Sequence, residues 1–156
     1  MLKYTCSKLY DNIPIAHRQQ NHSGSCSRIH GHDWSFHFTF ACNDRDPVTG
    51  FVVDFGDLKE LKVQIDIFDH ALALNESDKE MQLLLAVMKT TGLEAPKYFD
   101  IIWVEDCTCE GFAAYFFKVA DQVVRNKTKD RAWVDAVVVR EGRVNMAMVY
   151  EDGTNA

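Results

Sequence analysis

The order of patterned segments predicts an α+β domain in which antiparallel β-hairpins carry helices on one face. Three observations predict it. Trp34, Phe36, Phe38 and Phe40 alternate with Ser35, His37 and Thr39, the period of a half-buried strand. Leu58, Leu61, Ile65 and Phe68 recur at spacings of three and four, the period of a helix. Two β-rich runs, 132–139 and 144–150, flank Glu141-Gly142, which reads as a hairpin turn.

Residues 1–16 read as the first strand, with Pro14 demanding an edge or a bulge near its end. The second strand covers 30–41. The turn-rich DRDPVTG at 44–50 leads through Phe51-Val52-Val53 into a helix over 56–67. Ser77 and Glu80 form an S-x-x-E capping box that opens a second helix, running to Thr91 before Gly92. Residues 98–104 read as a buried strand. Thr108 can cap a third helix with Phe112, Tyr115, Phe116, Val119 and Val123 on one side, and the two β-rich runs follow. This order does not suit a doubly wound parallel sheet.

No repeat, low-complexity tract or Pro/Gly linker divides the 156 residues, so 1–156 reads as one domain. A chain of that length buries a core without staples, which reserves any metal for chemistry. Lys plus Arg number 17 against 23 Asp plus Glu, a net charge of -6. That balance argues against a nucleic-acid surface, yet a few local cations are enough for a phosphorylated small substrate. The first residues lack the apolar run of a signal peptide, and no stretch approaches the ~18 apolar residues of a membrane span, so a cytosolic protein without a membrane partner is expected. The five cysteines form no C-x-x-C pair, which suggests neither a disulfide framework nor a zinc ribbon.

The chemistry concentrates in Cys26-Ser27-Arg28-Ile29-His30-Gly31-His32. On a strand His30 and His32 face the same way, a ready pair of imidazole ligands, and Gly31 allows close approach to the backbone. His37, at odd offset, faces the opposite way. A catalytic zinc site takes three protein ligands and keeps one position open; His17, at the end of the first strand, is a better third ligand than His22 in its polar loop. The bland alternative is a set of solvated or hydrogen-bonded strand histidines. Cys26, four residues before the pair, can face such a pocket, where a cation would favour its thiolate as base or nucleophile; otherwise it is a small buried residue. Asp69-His70 is a second constellation, a carboxylate able to orient an imidazole for general acid/base work, or simply two loop polars.

The succession Ala16-His17-Arg18, Cys26-x3-His30-Gly31-His32, Thr49 to Lys59, Asp69-His70 and Leu74-Asn75 resembles the 6-pyruvoyltetrahydropterin synthase family. The short gap from the cysteine to H-G-H is similar to its 6-carboxytetrahydropterin synthase branch. The resemblance implies a T-fold: a four-stranded antiparallel sheet with helices on one face, joined as trimers or dimers of trimers into a barrel. It implies zinc on His17, His30 and His32, and catalysis by Cys26, Asp69 and His70. It further implies conversion of 7,8-dihydroneopterin triphosphate to 6-carboxy-5,6,7,8-tetrahydropterin, acetaldehyde and triphosphate, towards queuosine and related 7-deazaguanines. Glu141 matches the carboxylate that reads the pterin edge, unless it is an exposed turn residue. Thr108 and Glu110 match substrate-side positions within Cys107-Thr108-Cys109-Glu110-Gly111, where the family commonly has Pro-Thr-Ala-Glu-Asn; a helix cap and first turn explain both equally. A sister synthase that leaves the carbon chain whole, and a non-catalytic pterin- or purine-binding subunit, are the competing readings. The segment 76–106 is longer than in compact members.

Overall fold

The period-two run becomes the centre of the sheet in the computed structural model, which describes residues 2–151. Strands β1 (Tyr4–His17) and β2 (His30–Cys42) pair along their whole length, from Tyr4 opposite Cys42 to His17 opposite His30. Trp34, Phe36, Phe38 and Phe40 are fully buried, and each such ring contributes about 1.5–3 kcal/mol. A bulge between Tyr10 and Ile13, with Asn12 at φ 56°, shifts β1 so that Ile13, Ile15 and His17 face inward. The irregularity expected at Pro14 thus lies just before it.

Helix α1 (Lys59–Asp66) follows a 3-10 turn, Phe55–Leu58, whose entry Asp54 caps by accepting from the Gly56 N–H at 2.8 Å. Helix α3 (Cys109–Thr128) is capped by Thr108, as expected, through the Gly111 N–H at 2.9 Å. Phe112, Ala113, Phe116, Ala120 and Val124 of α3 pack onto the aromatic row of β2. Strands β5 (Ala132–Glu141) and β6 (Asn145–Tyr150) extend the sheet antiparallel from β2.

Two expectations need correction. The sheet has six mixed strands, not four antiparallel ones, in the order β4-β3-β1-β2-β5-β6. Strand β3 (Ala71–Asn75), four consecutive apolar residues and an Asn with no alternation to mark a strand, pairs parallel with Ile15–His17, and β4 (Asp100–Val104) pairs parallel with β3. Nor do all the helices share a face. Helix α2 (Lys79–Thr90) packs through Met81 and Leu85 against Leu72 and Leu74, on the face of β3 opposite Ala73, which joins the main core. Its N-cap is Asp78, accepting from the Met81 N–H at 3.1 Å, one residue after the predicted Ser77. Strand β6 pairs only with β5, and residues 4–10 of β1 pair only with β2, leaving both edges open among the described residues. No helix among the described residues is long and apolar enough to cross a membrane.

Candidate metal centre and cleft

Antiparallel register assembles the site. Because His17 stands opposite His30 and both face inward with His32, three imidazoles converge at the joined ends of β1 and β2, with ring centroids 4.6 to 5.4 Å apart. Trp34 supports them from below, 5.1 Å from the His17 ring and 6.0 Å from His32, its indole N–H donating to the Ile15 carbonyl at 3.2 Å. Glu141, at the end of β5 opposite Trp34, adds a carboxylate on the same face. Ligand atoms of His17, His30, His32 and Glu141 all lie within 4.8 Å of one another.

The hydrogen bonds around this group determine what it can hold. His17 Nδ1 donates to the Cys107 carbonyl and His30 Nδ1 to the Arg28 carbonyl, each at 2.8 Å, so the Nε2 lone pairs are free for the centre. Glu141 Oε1 lies 2.9 Å from Nε2 of both His17 and His32, yet neither contact has hydrogen-bond geometry. A neutral imidazole lone pair facing a carboxylate at that distance is repulsive unless a proton or cation sits between them. Burial pushes the His17 pKa down, which disfavours the proton, although the Cys107 carbonyl and Glu141 work the other way. The donor set therefore suits a divalent cation with nitrogen and oxygen ligands.

A cleft of about 530 Å³ opens beside the group, bordered by His17, His30, Glu141, Cys26, Thr108 and Glu110. Cys26 sits half-buried in a 3-10 turn, Ser25–Ser27, whose loop is closed by the Gln19 N–H donating to the Cys26 carbonyl at 2.8 Å. Thr108 has its oxygen engaged in the helix cap, and Glu110 is exposed in the first turn of α3. Glu141 is the last residue of β5 with a side chain only 19% exposed, not an exposed turn residue. Cys109 also borders the cleft, but burial pushes its thiol pKa up to about 11 and its Sγ donates to the Val139 carbonyl at 3.3 Å.

Asp69 and His70 lie elsewhere. Asp69 Oδ1 accepts from His70 Nδ1 at 2.7 Å, an oriented pair, but the His70 side chain is 81% exposed and borders a second hollow with His32, Gly31 and Asp33. Within one chain the pair does not reach the cleft that holds Cys26. Gly31 is not needed for close approach either, since a Cβ there would meet nothing nearer than the Ile15 carbonyl at 3.7 Å. Sequence reasoning missed Arg18 and Asp78, whose Nε and Oδ2 are 2.9 Å apart and which tie the residue after His17 to the start of α2. Asp78 is one of three buried polar residues among those described, a signal visible only in three dimensions.

Residues 7–152 match the family model of 6-pyruvoyl tetrahydropterin synthase. The chain belongs to that family. Similar proteins with curated names include the 6-carboxy-5,6,7,8-tetrahydropterin synthases of Rickettsia conorii, 43% identical over 67 residues, and Rickettsia bellii, 42% identical over 67. Each match covers 42% of this chain and 48% of the relative, so the chain spans about half the length of these relatives. Solved structures share the family fold over nearly all of the chain. An uncharacterized protein of Wolinella succinogenes superposes with a TM-score of 0.82 at 20% identity, covering 97% of this chain and 100% of that one. The 6-pyruvoyl tetrahydropterin synthase of Caenorhabditis elegans gives a TM-score of 0.63 at 22% identity, covering 97% and 98%.

Proposed function

We propose that this chain is a zinc-dependent carbon-carbon lyase that converts 7,8-dihydroneopterin triphosphate and water to 6-carboxy-5,6,7,8-tetrahydropterin, acetaldehyde and triphosphate, in the cytoplasmic route to queuosine and related 7-deazaguanines. The observation that carries it is the three-histidine group opening onto the same cleft as Cys26. The names of the relatives, each matched over about half its length, support the same reaction.

His17, His30 and His32 would hold the zinc, which supplies a Lewis acid that polarises substrate oxygens and acidifies the neighbouring C–H bonds. Cys26, at the cleft wall, takes and returns protons on one side of the substrate's carbon chain. The imidazole of His70, held by Asp69 at 2.7 Å, does so on the other side. Since His70 points into a different hollow, it serves the cleft of a neighbouring copy. Open edges at β6 and at the first half of β1 support such an assembly, because repeated edge-to-edge pairing closes a ring, here a trimer or a dimer of trimers. Glu141 accepts from the pterin edge, and Thr108 and Glu110 face the substrate from the cleft wall.

The alternative is 6-pyruvoyltetrahydropterin synthase activity, favoured by the names of the Caenorhabditis elegans and Plasmodium vivax structures. Product analysis of the purified protein with 7,8-dihydroneopterin triphosphate separates the two. Acetaldehyde with triphosphate supports the lyase, whereas triphosphate with a six-pyruvoyl product and no acetaldehyde overturns it.

A further inference from the structure

We propose that Glu141 is a displaceable fourth metal ligand, which closes the three-histidine group while the cleft is empty and vacates it when an incoming molecule presents its own oxygen donors. This rests on the metal-binding part of the reading above.

The placement of the carboxylate carries the inference. Glu141 Oε1 stands at the same 2.9 Å from Nε2 of His17 and of His32, and with His30 these atoms form one tight group. Equal distances without hydrogen-bond geometry describe donors converging on a shared point rather than a residue bonded to one histidine. Three histidines and one carboxylate would supply four protein ligands, the closed counterpart of a catalytic centre that takes three and keeps one position open. No Lys or Arg pairs with Glu141 among the described residues.

The backbone of Glu141 is fixed on both sides, opposite Trp34 on β2 and Asn145 on β6, so its own side-chain torsions must supply the motion. Glu141 itself borders the cleft of about 530 Å³, together with Val144, Asn145 and Met146 of the turn and strand that follow it, and Val144 is 81% exposed. The carboxylate therefore has open space to swing into on the cleft side. A carboxylate swung outward presents both oxygens to a pair of N–H donors, whereas one turned onto the histidines does not. The same residue thus closes the empty site and reads the occupied one, and ligands with two adjacent oxygens are the class able to replace it.

The test uses cobalt(II) as a visible metal probe and acetohydroxamate as a two-oxygen ligand, with no pterin present. Loss of an outer partner of a metal ligand already weakens binding about 10- to 100-fold, so Glu141→Gln, which removes a ligand, should weaken metal binding at least about 100-fold in competition with a chelator. It should also change the visible bands of the cobalt protein. Once metal-loaded, the variant should bind acetohydroxamate about tenfold more tightly than the wild type, because no carboxylate has to be displaced. Melting of the metal-free variant checks that it folds, and Glu141→Asp, which keeps the charge but shortens the reach, should move both readouts the same way. Unchanged metal affinity overturns the ligand role, and unchanged acetohydroxamate affinity overturns the displacement. Neither readout requires turnover, so a failure here is separate from a failure of the lyase assignment.

Discussion

Replacing Asp78 should unfold the chain more readily and loosen the metal centre together. Asp78 has two roles: Oδ1 accepts from the Met81 N–H at 3.1 Å as the cap of α2, and Oδ2 lies 2.9 Å from Arg18 Nε. Loss of an N-cap costs about 1 kcal/mol. Removing one partner of a buried ion pair costs about 3–5 kcal/mol because the other charge is stranded. Arg18 keeps Glu80 at 2.7 Å, and the Arg18–Asp78 contact lacks hydrogen-bond geometry, so the lower end applies. Asp78→Ala should therefore cost about 4 kcal/mol, and Asp78→Asn, which still caps, about 3 kcal/mol. At about 2–4 °C per kcal/mol, the melting temperature should fall by about 8–16 °C and 6–12 °C, at fixed protein concentration. Urea titration of both variants gives the free energies directly. The Arg18 carbonyl accepts from Cys107 Sγ at 3.2 Å, and the Cys107 carbonyl in turn holds His17 Nδ1 at 2.8 Å, so loosening Arg18 should also lower metal affinity, by up to about tenfold. An asparagine variant within about 1 kcal/mol of the wild type would refute the role given to the ion pair, and equal losses for both variants would refute the cap.

Gly111→Ala should destabilise by about 3 kcal/mol, the top of the range for overpacking, because its Cβ would lie 2.5 Å from the Asp106 carbonyl oxygen; a melt within about 2 °C of wild type would contradict this. Cys109, with its pKa raised to about 11, should resist iodoacetamide near about pH 8 while half-buried Cys26 reacts, and rapid labelling of Cys109 in a peptide map would count against its burial. The same shift means that Cys109's contribution to stability is present below the unfolded value of 9.0 and is lost as pH rises through about 11, readable in urea titrations across that window. On the proposed function, Cys26→Ala should keep its bound metal but lose turnover, and wild-type rates in that variant would make Cys26 a packing residue. His30→Ala should lose bound metal by metal analysis, and an unchanged content would remove His30 from the centre.

Much of the site was legible because its parts are local. The H-x-H pair needs only the two-residue period of a strand to share a face, and the Thr108 cap needs only the first turn of its own helix. Asp78 could not be found that way. Ser77 and Glu80 offered a capping box, but Arg18, 60 residues earlier, pairs with Asp78 and the helix starts one residue later. Strand β3 was missed for a related reason: Ala71–Leu74 is buried on both faces, so it shows no alternation, and only its parallel pairing with β1 identifies it.

The sequence by itself determined the alternating second strand, the capped third helix and the His30–His32 pair, because each follows from a spacing of a few residues, and it offered His17 as the third histidine from its place at a strand end. The tertiary structure decided which distant groups meet them. Register between β2 and β5 brings Glu141 onto the histidines, and the exit of the chain from α1 sends Asp69 and His70 to a separate hollow. Strand register and helix exit angle are fixed by burial of the whole aromatic core, a sum over contacts far apart in the chain that no local pattern contains.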